Sequence, residues 1–447
     1  MLMIKFKKNL NLKYLINFFE NHSFYISALF LSWALPVAGI FLLISIIISS
    51  SKDFKKTKLD KLYFLFFFLV IIMLFSCTIN YVNFDIEIIN SNWDKTIINN
   101  INKSQIWLNI LNWFPMFLIF LSSKKYLDEP NKKIKFAFYL TIGNIPVILS
   151  CILQYWFKIY GPFNFLYGTI VWFQKPPLIF GDTGVAGLFS NQNYAGSWLV
   201  SIIPFSIYFL LKNNNNFFNK FIFFFNSLLI SYFTILTNSR NALIGLIFSM
   251  SVIFGLKGLL ISLVMGFILS LIFLIMYMIN SLIFWEFINT IRSNPILSKL
   301  SNLGMQNFME YPRLEIYSSS LNLISQKPIW GYGSGTFPAI YELEGGLYNA
   351  QHTHNLPLQI AYDFGIPTAF IICFIVSYLF IKSIHIVFFL LKRKSLIDVM
   401  WILTFSVGLI FNITDITIYD GKINILFWIL LAGLNSIVNK NILNKVN

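Results

Sequence analysis

The stretch LYFLFFFLVIIMLFSCTI, residues 62–79, runs for eighteen residues without a charged side chain. A helix of that length spans about 27 Å, close to the hydrocarbon thickness of a bilayer. Similar apolar runs recur along most of the chain, which is 57% hydrophobic and only 11% charged, with a mean hydropathy of +0.70. This pattern excludes a soluble globular protein, and the long unbroken runs exclude the alternating strands of a membrane β-barrel. The sequence predicts an all-α polytopic membrane protein.

Eleven apolar segments are predicted to cross the membrane, and the first of them is broken by Pro36. Lysines cluster before and after this first segment, so the positive-inside rule puts both of its flanks in the cytoplasm. A hairpin of two short helices satisfies both flanks and a single crossing does not, which gives about twelve transmembrane helices in total. The segments are 24–50, 61–80, 105–122, 136–157, 187–211, 220–236, 241–256, 258–280, 355–381, 399–418 and 424–438.

The other basic residues support this topology. The predicted cytoplasmic segments hold 23 of the 33 lysines and arginines, and both termini are expected in the cytoplasm. One long loop between the late helices, residues 281–354, is expected to lie outside and to contain amphipathic helices. It separates an N-terminal transmembrane bundle, residues 1–280, from the C-terminal transmembrane helices of residues 355–447 within one integrated membrane domain. The net charge of +15 is thus attributed to basic residues on the cytoplasmic side of the inner (plasma) membrane. The lipid bilayer is the expected partner, and no nucleic-acid partner is predicted.

Only three arginines are predicted on the outer face, Arg240, Arg292 and Arg313, and two of them are candidate ligands. Arg240 stands in TNSRNA, residues 237–242, between two apolar runs, and an arginine there is costly unless it is paired or lines a wet cavity. A snorkelling interfacial side chain is the alternative. Arg313 begins a predicted amphipathic helix and is open to either a salt bridge or a ligand contact. A guanidinium grips phosphate through two parallel hydrogen bonds, so both arginines are candidate ligands of a phosphate group. The helix that Arg313 begins is expected to turn its apolar side chains inward, namely Leu314, Ile316, Leu321 and Leu323.

Amide side chains open the segment FSNQNYAGSWL, residues 189–199. Asn191, Asn193 and Tyr194 are placed to line an entrance and to hydrogen-bond a sugar or a phosphate. Helix capping by Ser190 or Asn191 is the competing interpretation, since both residue types are favoured at the N-cap.

Two histidines stand in QHTHNLPLQIAYDFGIP, residues 351–367, at the outer mouth of an apolar helix. An uncharged histidine at a helix N-terminus can act as a general base near neutral pH, and His354 is the candidate for that role. The alternative is that His352 and His354 only hydrogen-bond loop carbonyls. No third metal ligand is evident, and the three cysteines are scattered through apolar runs, so neither a metal site nor a cofactor is predicted. Asp363, nine residues after His354, faces the other way on an ideal helix and is expected to contact another helix.

Four elements of the sequence, in order, resemble those of the O-antigen ligase and polymerase superfamily of membrane glycosyltransferases. They are GLFSNQNYAGSWL at 187–199, LTNSRNALIGL at 236–246, Arg313 followed by KPIWGYGSGTF at 327–337, and HTHNLPLQIAYDFGIP at 352–367. The departures from the family pattern are Gln192 in place of proline, Asp363 in place of glutamate, and Thr368 where glycine is common. The resemblance covers most of residues 180–370, while the preceding residues match only in topology.

The resemblance implies a glycosyltransferase that moves a glycan from undecaprenyl diphosphate to an acceptor hydroxyl, with inversion and without a metal. Arg240 and Arg313 would bind the diphosphate, and His354 would take the proton from the acceptor. The acceptor, a lipid, a glycan or a protein, is left open, as is the choice between ligation in lipopolysaccharide biosynthesis and polymerisation of a surface polysaccharide. The substrate-binding residues would be Asn191, Asn193, Tyr194, Ser239, His352 and Asn355.

A membrane transporter of a small solute or a lipid-linked glycan is the alternative from another functional class. Carriers commonly show repeated halves, with polar groups near mid-membrane. The sequence has no evident internal repeat, and its unusual polar residues lie at the predicted outer edge, which favours the enzyme.

Overall fold

The computed structural model describes residues 12–53, 61–90, 102–176, 184–212, 216–279, 312–391 and 394–446. Within these residues the protein is helical except for a short antiparallel hairpin, β1 (Phe163–Phe165) and β2 (Ile170–Trp172), in which Asn164 lies opposite Val171. The helices are α1 Leu12–Phe30, α2 Leu35–Asp53, α3 Lys61–Asn90, α4 Gln105–Leu108, α5 Phe114–Leu127, α6 Pro130–Gly143, α7 Ile145–Tyr155, α8 Gln192–Leu211, α9 Phe217–Leu236, α10 Arg240–Ile279, α11 Pro312–Gln326, α12 Phe337–Leu343, α13 Leu356–Phe364, α14 Ile366–His385, α15 Leu396–Thr414 and α16 Gly421–Val446. A 3₁₀ turn, Asn109–Asn112, follows α4, and another, Thr417–Tyr419, lies between α15 and α16.

Eight helical segments among the described residues are long and apolar enough to cross a bilayer. The prediction of an all-helical, multi-pass membrane protein is therefore confirmed, whereas the count of about twelve spans is not. The eight segments are Leu62–Phe84, Gln105–Leu127, Pro130–Tyr155, Gln192–Leu211, Phe217–Leu236, Ile366–Leu390, Leu396–Thr414 and Gly421–Asn439, and the two shorter apolar helices are Leu35–Ser49 and Arg240–Gly255.

Helices α8 and α16 form the centre of the bundle. In their most apolar windows 83% and 94% of the residues are buried, against 28% in α3 and in α9. Helix α8 packs against α9, α10 and α15, and α16 packs against α5, α14 and α15. Gly196 permits the contact between α8 and α10, because a Cβ at this position would lie 2.7 Å from the Cβ of Ala242. The outer helices leave their apolar side chains exposed, as expected for a surface that faces lipid.

The first apolar stretch is the predicted helical hairpin. Helices α1 and α2 are joined by residues 31–34 and pack against each other. Pro36 lies in the first turn of α2, where its missing N–H has no helical partner to lose.

One predicted span is broken in the structure where no break was predicted. The segment 355–381 is not one helix, because Gly365 adopts a φ of 88° and separates α13 from α14. A side chain at Gly365 would collide with the carbonyl of Ile329, so this break requires glycine. The predicted division between segments 241–256 and 258–280 agrees with the structure, because α10 consists of two helices that meet at a kink at Gly255.

The prediction for the long loop is only partly open to comparison. Residues 280–311 lie outside the described residues, and the rest of the loop contains α11 and α12. The predicted apolar stripe of α11 was half wrong. Ile316 and Leu323 are buried as expected, but Leu314 is 40% and Leu321 56% exposed, since α11 packs against α13 along one narrow side.

A buried ion pair joins α6 to α15. Lys133 Nζ lies 2.8 Å from Asp398 Oδ1, and the two side chains are only 4% and 12% exposed. We expect Lys133→Met to destabilise the protein by about 3–5 kcal/mol, because it leaves a buried carboxylate without its partner. The double variant Lys133→Met/Asp398→Leu should recover most of that loss, as read from thermal unfolding in detergent.

The matched control is the neighbouring pair Lys132–Asp128, whose side chains are 34% and 49% exposed. Lys132→Met should cost about 1 kcal/mol or less, because water screens an exposed pair. Equal melting temperatures for the two single variants would contradict the structural role of Lys133.

Candidate active site

Several segments that are distant in the sequence meet at one end of the bundle. They are the start of α8, the turn before α10, the loop of residues 350–355 before α13, and residues 415–420 between α15 and α16. The contacts of α8 with α10 and α15 bring these segments together, and a small apolar cluster lies between the three helices: Val200, Ala242, Val407 and Phe411. We call this region the site end.

Asp415 is the buried centre of the site end, with 5% of its surface exposed. Its Oδ1 lies 3.2 Å from Nδ1 of His354 and 3.8 Å from Nε2 of His352. The same oxygen accepts the backbone N–H of Ile416 at 2.9 Å, and Oδ2 accepts the amide N–H of Asn193 at 3.1 Å. One carboxylate therefore connects α8, the end of α15 and the loop of residues 350–355, which we call the histidine loop.

The charges of this cluster follow from its contacts. Burial alone would raise the pKa of the Asp415 carboxyl, but the hydrogen bond from His354, the charges of both histidines and the N–H of Ile416 outweigh it and lower the pKa. Burial lowers the pKa of His352 to about 4, assisted by the charges of His354 and Arg313 and opposed by Asp415. At neutral pH, His352 is thus uncharged beside an ionised carboxylate.

The backbone of the histidine loop is held in an uncommon conformation. His354 has a φ of 53°, in the left-handed region that few residues other than glycine occupy. Hydrogen bonds on both sides support it: Thr353 Oγ1 donates to the carbonyl of Asn355 at 2.8 Å, and Tyr317 donates to the carbonyl of His354 at 3.2 Å. The His354 N–H also donates to Nδ1 of His352 at 3.2 Å. This conformation turns the two imidazole rings toward each other, with 4.3 Å between their centroids.

The two predicted arginines lie at different places around the site end. Arg313 is in the first turn of α11, one turn before Tyr317, and its charge is among the causes of the low pKa of His352. Arg240 is the first residue of α10 and is partly buried. The structure thus brings Arg313 close to the histidines and puts Arg240 at the helix start that packs against α8.

Three of the predicted substrate-binding residues cap helices. Asn191 Oδ1 accepts the N–H of Tyr194 at 2.9 Å, and Asn355 Oδ1 accepts the N–H of Leu358 at 3.0 Å. Ser239 is buried, and its Oγ accepts the N–H of Ala242 at 3.4 Å. The capping interpretation of Asn191 is therefore confirmed, and a substrate contact by Asn191, Ser239, Asn355 or Tyr194 stays a prediction.

Asp363 has the interhelical role predicted for it. Its two oxygens accept the side-chain amides of Gln359 at 2.9 Å and Asn109 at 3.2 Å, which connects α13 to the turn after α4. Burial raises the pKa of Asp363 to about 7, opposed by the hydrogen bond from Gln359. The glycine-rich turn GYGSG docks on the same helix end, where the Gly333 N–H donates to the carbonyl of Asp363 at 3.1 Å. This contact gives the turn a structural role, the docking of residues 331–335 on the end of α13.

The sequence interpretation missed Asp415 and Tyr317. Asp415 was placed inside the predicted span 399–418, whereas α15 ends at Thr414. A carboxylate inside an apolar span is itself a signal, since such residues usually mark function. Tyr317 had no comparable signal, because its role depends on how α11 packs beside the histidine loop.

Asp415 also changes the reasoning about metals. Among the described residues, His352, His354 and Asp415 have ligand atoms within 4.8 Å of one another. The sequence-based reason against a metal, the lack of a third ligand, was therefore wrong. Two imidazoles and a carboxylate are a donor set that Zn²⁺ accepts. The hydrogen bond between His354 and Asp415 accounts for the same spacing without an ion.

An apolar cavity of about 360 Å³ adjoins the histidine loop. Leu356 and Pro357 at the start of α13 line it, as do Asn412 and Ile413 near the end of α15. Its wall is almost entirely hydrocarbon and includes Leu356, Pro357, Ile360, Val376, Leu409, Ile413 and Ile418.

Comparison with known proteins connects this geometry to a family. Residues 225–373 match the family model described as O-Antigen ligase, a segment that contains Arg240, Arg313 and both histidines. Asn193 and Asp415, which complete the cluster, lie outside the matched segment. No curated protein sequence matches the chain. The resemblance seen in the sequence motifs is thus confirmed over this segment: in a multi-pass membrane protein, residues 225–373 are similar to the O-antigen ligase family.

Proposed function

We propose that the protein is a membrane glycosyltransferase that moves an oligosaccharide or polysaccharide from undecaprenyl diphosphate to an acceptor hydroxyl, with inversion and without a metal ion. The observation that carries the proposal is the hydrogen bond between His354 and the buried Asp415, in a chain whose residues 225–373 are similar to the O-antigen ligase family. The site end would face the periplasm or exterior of the inner (plasma) membrane, with both termini in the cytoplasm.

His354 has the surroundings of a general base. In the neutral tautomer that donates Nδ1–H to Asp415, the other ring nitrogen, Nε2, carries a lone pair that can accept a proton. The acceptor oxygen attacks the anomeric carbon opposite the diphosphate, and its proton passes to Nε2 of His354. The bond between the anomeric carbon and the diphosphate oxygen breaks, with its electron pair going to the diphosphate. Asp415 then stabilises the imidazolium that has formed.

Arg313 is the first candidate for holding the leaving diphosphate. Tyr317, one turn further along α11, donates to the carbonyl of His354 at 3.2 Å, so Arg313 lies on a helix turn next to the one that contacts the histidine loop. A guanidinium can donate two parallel hydrogen bonds to phosphate and stabilises the negative charge that develops as the bond breaks. Arg240, at the start of α10, is the second candidate.

The apolar cavity beside the histidine loop suits the lipid part of such a donor. A polyprenyl chain has no polar groups, and the cavity offers it a hydrocarbon wall that begins next to His354. A donor whose diphosphate lies at the site end would thus extend its tail along α13, α14 and α15.

The proposal predicts glycan transfer by the purified protein in liposomes that contain undecaprenyl-diphosphate oligosaccharide and a panel of acceptors. His354→Ala should lower the transfer rate by about 10²–10⁴-fold, because it removes the proton acceptor. Arg313→Ala should lower it by about 10²–10³-fold, and Arg313→Lys should be intermediate, because lysine keeps the charge without the forked geometry. Transfer should persist in EDTA.

The control for these variants is His385→Ala, since His385 ends α14 at the other end of that helix from Gly365. It should transfer glycan at the wild-type rate. Transfer by His354→Ala at the wild-type rate would contradict the proposed base, and loss of transfer in EDTA would contradict the metal-free mechanism.

In this mechanism Asp415 positions His354 and does not touch the substrate, so its loss should affect the rate of transfer and not the binding of the donor. Asp415→Asn should lower kcat by about 10²-fold and leave the KM for the donor unchanged, since it disturbs the tautomer and orientation of the base. Asp415→Glu should restore part of kcat. The measurement is steady-state transfer kinetics on folded, inserted protein.

Asp363→Asn is the matched control, because Asp363 is also a buried carboxylate but accepts hydrogen bonds from amides and not from histidines. It should change kcat far less than Asp415→Asn does. Equal losses in the two variants would mean that Asp415 acts only through stability.

A further inference from the structure

A polar cleft opens beside the histidine loop. It consists of two cavities of about 630 and 340 Å³ that share four lining residues: Gln105, Gly335, Pro338 and Gln351. Helix α4 forms one side, and α12 with the loop of residues 346–351 forms the other. The two sides approach closely at Gly335, whose φ is 79° and where a Cβ would lie 2.6 Å from Oε1 of Gln105. Both volumes are in the range of small-molecule binding sites.

The smaller cavity reaches the proposed active site. Tyr419 lines it, and the ring of Tyr419 lies 5.9 Å from that of His352. Gln359 also lines it, and Oε1 of Gln359 accepts the backbone N–H of Thr353, between the two histidines, at 3.0 Å. A ligand that fills the cleft would therefore have one end next to the histidine pair and the other end in the open, larger cavity.

Most of the polar side chains of the cleft are carboxamides. Each carboxamide offers both donors and an acceptor, which matches a sugar hydroxyl that also donates and accepts. Asn102, Gln105, Asn349 and Gln351 line the larger cavity, and Asn109, Asn112 and Gln359 line the smaller one.

The charge of the cleft limits the ligands that fit it. Of the described residues that line it, none is lysine, arginine or histidine, and the one charged side chain is the carboxylate of Glu342. The chain has 33 lysines and arginines elsewhere, so this composition is not a general shortage of cations. Sugars that carry phosphate or carboxylate are recognised through arginine and lysine, and Glu342 would repel them. Uncharged hydroxyl-rich ligands meet no such penalty.

We propose that this cleft binds a neutral oligosaccharide and directs its end toward His354. The inference rests on the proposed function for the role of the histidine, but the binding itself does not depend on catalysis. The bound sugar is either the acceptor or the glycan of the donor, and both present the same uncharged hydroxyl chemistry.

The test is binding of the purified full-length protein, in detergent, to an array of immobilised oligosaccharides. The neutral set is glucan, mannan, galactan and chitin fragments, and the acidic set is oligogalacturonate and phosphorylated mannan fragments. The wild type and His354→Ala should both bind members of the neutral set and not the acidic set. Gln105→Ala/Gln351→Ala should weaken this binding by about tenfold or more, because it removes two hydrogen-bonding side chains that both cavities share.

The matched control is Asn131→Ala/Asn219→Ala, which removes two exposed carboxamides from a different groove, and it should bind like the wild type. Gln351→Lys should gain binding to the acidic set. Preference of the wild type for acidic sugars, absence of binding to every neutral sugar, or unchanged binding by the cleft variant would each overturn the inference.

Transfer kinetics separate the two sources of the sugar and the two proposals. If the cleft holds the acceptor, the cleft variant raises the KM for the acceptor alone, and if it holds the donor glycan, it raises the KM for the donor alone. Neutral-sugar binding with full transfer by His354→Ala would refute the proposed base and leave the cleft intact. Transfer that needs His354 without any neutral-sugar binding would refute the cleft and leave the base intact.

Discussion

A carboxylate that is removed from water must be stabilised by the groups around it, because the cost of an unpaired buried charge is several kcal/mol. Asp415 meets this constraint with donors from three separate parts of the chain: Asn193 at the start of α8, the histidine loop before α13, and its own neighbour Ile416. These contacts fix the position of the histidine loop on the bundle. Moving the loop would expose the carboxylate to an apolar surrounding without its donors, so the geometry of the site and the packing of the helices depend on each other.

Two buried carboxylates near the site end show how surroundings divide their roles. Asp363 is held by amides, and burial raises its pKa to about 7, so it retains a proton for part of the time near neutral pH. Asp415 is held by histidines, and its pKa lies below the usual value. Environments that separate the pKa values of like groups are common in active sites. The pKa of His352 is likewise shifted by its surroundings, so this imidazole is uncharged beside the ionised Asp415.

The helical membrane fold could be predicted from the sequence, and so could several residues of the candidate site. Apolar runs such as 62–79 have the length of a bilayer crossing, and the order of the four motifs pointed to Arg240, Arg313 and His354. The helix break at Gly365 was harder to predict than the division near Gly255, because a glycine inside an apolar run has the same local pattern whether it continues a helix or ends it. At Gly365 the helix break follows from the close approach of the Ile329 carbonyl, and Ile329 is 36 residues away in the sequence.

The partners of the site residues were the least predictable feature. Asn191 had a visible capping alternative, which the structure has borne out, but the bond between Asn193 and Asp415 joins residues 222 positions apart. The polar cleft likewise combines α4 with a loop more than two hundred residues later, so no sequence window contains both of its sides. Hydrophobic periodicity predicts which helices exist, whereas the contacts between their ends depend on packing.

The most direct test of the proposed donor site is a structure of the protein in a lipid nanodisc with undecaprenyl diphosphate bound. We predict that the diphosphate contacts Arg313 beside the imidazole of His354, and that the polyprenyl chain occupies the apolar cavity between α13, α14 and α15. A diphosphate bound at the opposite end of the bundle, or bound at the site end without contact to either Arg313 or Arg240, would contradict the proposed mechanism.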